Sequence, residues 1–414
     1  MHVLTFTSLF PNNIWPNHGV FTRERIAPLL ATNLSTFKVV APVPYFPPVK
    51  LGDRWLFSRV VRQETNEGIE VFHPRYLMTP KAGMTTYGLL MFLSVLPTVK
   101  RIRRRYDFDI IDAQYVYPDG FAGVLLGRYF GKPVVITAHG TDLNLYPSFP
   151  LIRLFLAYTL RRATRAIAVC QALKDVMIQL GIEDEKISVI PNGADLDKFH
   201  AFPKNEARRK LGLSNKRTLI SVGGLIHRKG FDLLIKAVKI LIQDYQEDVH
   251  LVIVGEGPSR VELATLISKL NLTERVRMVG AIPHKDLYLW FNAADLFCLT
   301  SRREGWACVL VESLACGTPV VASNVWGAPE IITSDGIGLL TTLDERDIAA
   351  KISLALNKEW DHGSIVDYTK RYTWERAALS AYAVFKSALN GTAPDSLIQC
   401  GSRTPNLGPS RLET

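Results

Sequence analysis

Short runs of β-branched and other apolar residues recur along the chain, separated by stretches with helical spacing. That alternation predicts parallel sheets covered by helices. In the first half the predicted strands are residues 2–6, 37–41, 110–113, 134–138 and 166–169. In the second they are residues 218–222, 250–254, 276–279, 296–299 and 319–322. Several run directly into glycine or polar residues: Thr137-Ala138-His139-Gly140, Ser221-Val222-Gly223-Gly224 and Val254-Gly255-Glu256-Gly257. In open α/β sheets ligands bind beyond the carboxyl ends of the strands, so these junctions are the first candidates for a site.

Pro191-Asn192-Gly193 breaks the pattern after Val189-Ile190, and a polar stretch over residues 198–216 leads to the next strand. The chain therefore reads as two α/β domains facing each other across a cleft, residues 1–195 and 196–370. A last helical pattern, from Trp374 to about residue 389, follows the second set of strands. Residues 390–414 are rich in Gly, Pro, Ser and Thr and read as a disordered tail. No short-period repeat is present.

Of the 414 residues, 47% are hydrophobic and 21% charged, which supplies real cores and excludes a mainly disordered chain. Lys and Arg outnumber Asp and Glu by 49 to 39, a formal charge of +10 that suits anionic partners such as nucleotides or acidic lipid. The basic residues are scattered and form no known nucleic-acid-binding module, so nucleic acid is not an expected partner. The cysteines (Cys170, Cys298, Cys308, Cys316, Cys400) are odd in number and form no C-x-x-C pair. That argues against a disulfide framework or zinc site and suits a reducing cytosol. The amino terminus reads as a strand rather than a secretory signal. The longest apolar stretch, residues 88–96, is far short of the roughly 20 residues of a membrane span. A cytoplasmic protein is expected.

The most informative segment is Arg303-Glu304-Gly305-Trp306-Ala307-Cys308-Val309-Leu310-Val311-Glu312, followed by Ser313-Leu314-Ala315-Cys316-Gly317-Thr318-Pro319. A strand leads into a loop at residues 302–306, a helix spans 308–315, and Gly317 ends it. A helix opening at a strand's carboxyl edge turns unpaired N–H groups toward the cleft as an anion site. Were the stretch wholly helical, Glu304 and Glu312 would stand about 12 Å apart along the axis. That fits two hydroxyl-bearing rings flanking a diphosphate better than a glycosidase pair at about 5–9.5 Å. Two surface acids welcomed by the helix dipole are the alternative. Gly223-Gly224-Leu225-Ile226-His227-Arg228-Lys229-Gly230 also follows a strand and opens a helix. Its glycines let backbone approach a ligand, and Arg228 and Lys229 suit phosphate charge, or simply form a solvated basic turn. Gly255-Glu256-Gly257-Pro258 shapes the same cleft or is only a tight turn.

In this order, the E-x7-E element Glu304 to Glu312, Ala315-Cys316-Gly317-Thr318-Pro319-Val320-Val321-Ala322, Pro191-Asn192-Gly193-Ala194-Asp195, Arg228-Lys229-Gly230 and His139-Gly140-Thr141-Asp142 form a set. The set resembles the retaining glycosyltransferases of family 4, which have the GT-B fold of two facing Rossmann-like domains. The resemblance runs from residue 1 to about residue 388. It implies that Glu312 binds the donor ribose and that Glu304 contacts hydroxyls of the transferred sugar. It further implies that backbone amides from Gly305 through Trp306, Ala307, Cys308, Val309 and Leu310 hold sugar and phosphates. Lys229, with Arg228, would neutralise the diphosphate, and backbone around Ile282 in Ala281-Ile282-Pro283 would meet the base. His139 would lie beside the donor sugar at the reacting centre, although a lone His at a strand end is more often structural. Asp142 reads as a cap. Gly19, Gly224 and Glu256 belong to loops on the donor's path. The final helix, over residues 371–389 with its entry, would cross back to the first domain. There are departures: many relatives carry Arg where Gly224 stands, and Asn17-His18-Gly19-Val20 and Trp326-Gly327-Ala328 each keep one glycine of a common pair.

The activity so implied is transfer of a hexose-type unit from a UDP-, GDP- or ADP-sugar to a hydroxyl of a glycan or lipid-linked glycan, in polysaccharide or glycoconjugate synthesis. Retention is expected through same-face attack, because no carboxylate is placed as a covalent nucleophile. No D-x-D motif marks a metal, so no obligatory cofactor is expected. A GT-B sugar-nucleotide epimerase and a nucleic-acid-binding protein are the rival readings. A dinucleotide oxidoreductase would need G-x-G-x-x-G where Thr7-Ser8-Leu9-Phe10-Pro11 stands. Finally, residues 81–106 join an apolar stretch to Lys100-Arg101-Ile102-Arg103-Arg104-Arg105, with Arg153, Arg161, Arg162 and Arg165 beyond. This is either a face for an anionic membrane, at its inner surface, or a helix packed on the sheet with a solvated basic end.

Overall fold

The computed structural model describes residues 1–50, 52–78 and 83–392. Most of the tail expected from residue 390, residues 393–414 with Cys400, lies outside the described residues. In chain order the first half carries β1 (His2–Phe6), β2 (Thr36–Val40), β3 (Val43–Pro44), β4 (Gln63–Asn66), β5 (Ile69–Phe72), β6 (Arg75–Tyr76), β7 (Ile110–Gln114), β8 (Val134–Ala138), β9 (Arg165–Ala168) and β10 (Ile187–Val189). The second half carries β11 (Arg217–Val222), β12 (Val249–Val254), β13 (Val276–Gly280), β14 (Leu296–Leu299), β15 (Val320–Ser323) and β16 (Gly338–Thr341).

The first sheet runs β10-β9-β8-β7-β1-β2-β5-β4, and the second β13-β12-β11-β14-β15-β16. Every pairing is parallel except the hairpin β4–β5. Strands β7 and β8 are buried along their whole length, as helices on both faces of a parallel sheet require. Each predicted strand is present with its ends within a residue. The short β3–β6 pair, the β4–β5 hairpin, β10 before the Pro191-Asn192-Gly193 break, and β16 are additions. Gln-Glu-Thr-Asn in β4 lacks any apolar alternation, and it forms a strand because it edges the sheet.

Each sheet has a point where the strand order reverses: β1 against β7 in the first and β11 against β14 in the second. Ligand crevices open at such points. Here the two meet, because the loops beyond β8 and β14 touch. A side-chain carbon on Gly305 would fall 1.8 Å from the His139 carbonyl oxygen, so only glycine allows that contact. Asn144 adds a side-chain hydrogen bond to the Glu304 carbonyl at 3.0 Å. The helix Trp374–Asn390 returns to the first sheet. It buries Trp374, Ala377, Ala378, Ala381, Val384 and Phe385 against the helix Val20–Ala31 and the strands β8 and β9. Two Rossmann-like sheets with a helix crossing back make this a GT-B fold.

Candidate active site

At the β11/β14 reversal the chain leaves Val222 through Gly223-Gly224 and makes a single turn at His227–Lys229. It then enters the helix Phe231–Gln243 at Gly230 (φ 65°), where a side chain would meet the Thr300 carbonyl at 1.9 Å. That turn aims Lys229 Nζ at Glu304 Oε1, 2.6 Å away. Arg228 donates to the Arg303 carbonyl at 3.0 Å and stands 3.7 Å from Glu304 Oε2. Burial alone would raise the Glu304 carboxyl. The Lys229 charge and hydrogen bond, with Ser301 and Arg228, more than offset it and hold the group below its ordinary value. Two cations thus face one carboxylate, leaving a net positive patch. The loop is fixed from behind by Arg302, whose fork grips Asp232 at 2.8 and 2.7 Å. Sequence pattern alone did not single out Arg302, because its partner lies far along the chain.

The helix Cys308–Ala315 starts where predicted, with no side-chain cap. Cys308 N–H donates to the Trp306 carbonyl and Leu310 N–H to Ala307. Among the described residues the N–H groups of Gly305, Trp306, Ala307 and Val309 have no partner, so of the expected amides from Gly305 to Leu310 only those of Cys308 and Leu310 are spent. The Trp306 ring instead packs 5.3 Å from Tyr372, at the entry to the crossing helix. Glu312 is buried: Oε1 lies 2.9 Å from His284 Nε2, and Oε2 has no partner. Burial lowers the His284 ring, but the Glu312 hydrogen bond and charge, with Glu24, outweigh it and Lys198, so the ring stands above its ordinary value. His284 was missed in the sequence. It follows Ile282-Pro283 by one residue, and so ties the expected base loop to the expected ribose carboxylate. The loops beyond β11, β12 and β13 are laced together by Leu225 N–H to the Glu256 carbonyl (2.9 Å) and Gly255 N–H to the Gly280 carbonyl (2.8 Å). The Glu256 carboxylate pairs with Arg260 at 2.9 Å and lies beside Gly280, where a side-chain carbon would meet its Oε1 at 3.1 Å. At Gly224 a side-chain carbon would meet nothing nearer than the Glu256 carbonyl at 3.9 Å.

Across the cleft, the Gln114 amide donates to Asp112 at 2.6 Å and turns its oxygen to His139 Nε2 at 2.8 Å. His139 therefore donates through Nε2, and Nδ1 is a buried acceptor without a partner. Burial, and then the Arg25 charge, push its pKa well below the usual value, so the ring is neutral at neutral pH. Arg25, unforeseen because an arginine in a helix reads as surface, is buried and held by Asn192 at 2.7 Å. Burial brings it down to about 10. Asp142 does not cap a following turn: it reaches back to the N–H groups of Val116 (3.0 Å) and Gly140 (2.8 Å) and so ties the loop beyond β7 to the loop beyond β8, with burial pushing it up to about 6. Asp119 clamps the loop after β1 through Ser8 N–H and the Ser8 hydroxyl, and burial pushes it up to about 7. The close approach made at Gly19 is to the backbone of Leu9, 2.3 Å from where a side chain would start. Beside Ser8 a cavity of about 450 Å³ is lined by Leu9, Trp15, His18, Pro42, Phe57 and Tyr76.

Comparison with known proteins agrees with this geometry. Residues 203–372 match the family described as Glycosyl transferases group 1, and residues 58–198 match Glycosyltransferase Family 4. The chain is 31% identical over 343 residues to TuaC, a glycosyltransferase assigned to teichuronic acid biosynthesis in Bacillus subtilis (strain 168), covering 80% of this chain and 83% of that one. Among solved structures it is similar to a sucrose-phosphate synthase from Thermosynechococcus elongatus (TM-score 0.77, 19% identity, 94% of this chain and 99% of that one). It is also similar to HepE of Anabaena in complex with UDP (TM-score 0.71, 21% identity, 94% and 100%).

Proposed function

The chain belongs to the family 4 glycosyltransferases, and from that premise we propose that it moves a hexose-type unit from a nucleoside diphosphate sugar to a glycan hydroxyl with retention of configuration. The observation that carries this reading is the pair of buried glutamates on either side of the start of the Cys308 helix, Glu304 against two cations and Glu312 with one oxygen unpartnered. A buried carboxylate oxygen without a donor is costly, and a ribose hydroxyl is the kind of group that relieves it. The diphosphate then lies between the N–H groups of Ala307 and Val309 and the ammonium of Lys229, with Arg228 beside it. Glu304 exchanges part of its hold on Lys229 for a hydroxyl of the sugar.

As the C1–O bond to the β-phosphate breaks, its electron pair passes to the diphosphate. Lys229, Arg228 and the helix amides stabilise the charge that grows there. The acceptor oxygen bonds to C1 on the same face, and its proton goes to the departing phosphate oxygen. The neutral His139, with Nδ1 free to accept, suits a hydroxyl of the sugar rather than a phosphate. The cavity beside Ser8 lies at the other reversal point and suits the acceptor. The similarity to a chain assigned to teichuronic acid biosynthesis supports a polysaccharide as product class.

The test is a panel of UDP-, GDP- and ADP-sugars with α-linked donors, followed by proton NMR. Slow release of the α-anomer from one donor is expected. Release of the β-anomer first, or epimerisation of the bound sugar, overturns the reading.

A further inference from the structure

The described part of the basic–apolar segment combines both of its readings. The helix Tyr87–Arg103 turns Gly88, Met91, Val95, Val99 and Ile102 inward. Its outer stripe holds Leu89 and Leu93, 50% and 55% exposed, and then Pro97. A surface helix ordinarily carries polar residues there. Here exposed charge begins only at Lys100 and continues through Arg101, Arg104 and Arg105. Among the described residues no carboxylate pairs with Arg101, Arg104 or Arg105, whereas Arg103 takes Asp107.

A second helix, Pro150–Arg162, repeats the design. It buries Ile152, Leu156 and Leu160, and exposes Leu151 and Leu154 by 62% and 64%, with Arg153 between them. Both helices meet on Phe121. Its ring lies 5.4 Å from that of Phe155, and a side-chain carbon at Gly88 would fall 2.6 Å from it. The two leucine pairs therefore belong to one side of the first sheet.

We propose that this side docks on an anionic lipid bilayer, with Leu89, Leu93, Leu151 and Leu154 in the interface and Lys100, Arg101, Arg104, Arg105 and Arg153 on the headgroups. Exposed aliphatic side chains rimmed by cations that no described carboxylate neutralises match a surface that is apolar within and negative at its edge. A second copy of the chain matches poorly, because it would bring the same unpaired cations together. Among the described residues no helix is long and apolar enough to span, so contact is with one leaflet. The face also lies close to the cleft, since Asn144, which holds the Glu304 carbonyl, precedes the exposed Phe149 by one short turn at Tyr146–Ser148. A lipid-borne acceptor could enter from that side, a corollary that rests on the transfer reading; the docking itself does not.

The test is co-flotation of the full chain with vesicles of phosphatidylglycerol and phosphatidylcholine, against phosphatidylcholine alone. Binding to the anionic vesicles, weakened by salt, is expected. Leu89→Glu/Leu154→Glu and Arg101→Glu/Arg104→Glu/Arg105→Glu should each lower it about tenfold or more. Both sets are exposed, so the thermal midpoint and lipid-free donor hydrolysis should not change. Absence of binding to anionic vesicles, binding by both variants as strong as that of the wild type, or a wild-type dimer in light scattering that Leu89→Glu dissociates would overturn the docking. Binding without any donor turnover would leave docking standing and sink the transfer reading.

Discussion

The two strand-order reversals that meet in the cleft are built alike in backbone and unlike in chemistry. At β11/β14, cations and carboxylates sit close beneath the surface, in pairs that a ligand can take over: Lys229 with Glu304, His284 with Glu312. At β1/β7 the charges are sealed in. Asp119 and Asp142 are fully buried, spend their oxygens on backbone N–H groups and the Ser8 hydroxyl, and stand well above the ordinary carboxylate range because burial penalises their ionised form. The second-half reversal is a charged grip waiting for a charged ligand. The first-half reversal is a rigid wall around a mostly apolar cavity. On the proposed reading, binding energy for the donor comes from one side and shape for the acceptor from the other.

That contrast can be broken most sharply at Lys229. Lys229→Ala should lower kcat by roughly 100- to 1,000-fold, as expected for loss of a charge that meets the leaving group. Because it also strands the buried Glu304, its fold is checked against Lys229→Ala/Glu304→Gln, which should recover the thermal midpoint and not the rate. Next in size is Glu312→Ala. It should raise the donor KM about tenfold or more, with a smaller change in kcat, because it removes hydrogen bonds made equally in ground and transition states. A change in kcat alone would move Glu312 from binding to chemistry.

The first-half wall should instead answer to pH. A carboxyl raised in the folded state takes up a proton on folding. Asp119, from 3.8 to about 7, therefore favours the fold at low pH and loses that contribution as pH rises through this window. Asp119→Asn should flatten the fall in thermal midpoint between about pH 4 and about pH 7. An unchanged slope would place the charge elsewhere. The smallest effect is expected at Gly224, where there is room for a side chain. Gly224→Arg should lower the donor KM by a few-fold through an added phosphate contact; a rise would show that the loop must bend there.

The same contrast governs what could be read from the sequence. Strands β1 and β8, the Cys308 helix and the crossing helix declare themselves through local pattern, and Glu304, Glu312, Arg228 and Lys229 stand beside strand ends in short consecutive motifs. The polar strand β4 carries no such pattern. The sealed groups of the first half owe their role to partners far away in sequence: Asp119 to Ser8 across 111 positions and Arg25 to Asn192 across 167. Spacing carries no trace of such pairs. Nor could it reveal that, of the amides from Gly305 to Leu310, Cys308 and Leu310 spend their N–H groups internally.

The most direct measurement is a crystal structure of the chain soaked with the nucleoside diphosphate of its preferred donor. The account predicts a ribose hydroxyl on the unpartnered Glu312 oxygen and phosphate oxygens on Lys229 Nζ and the Ala307 and Val309 amides. A nucleotide seated at the β1/β7 reversal, with the Lys229–Glu304 and His284–Glu312 pairs untouched, would contradict it.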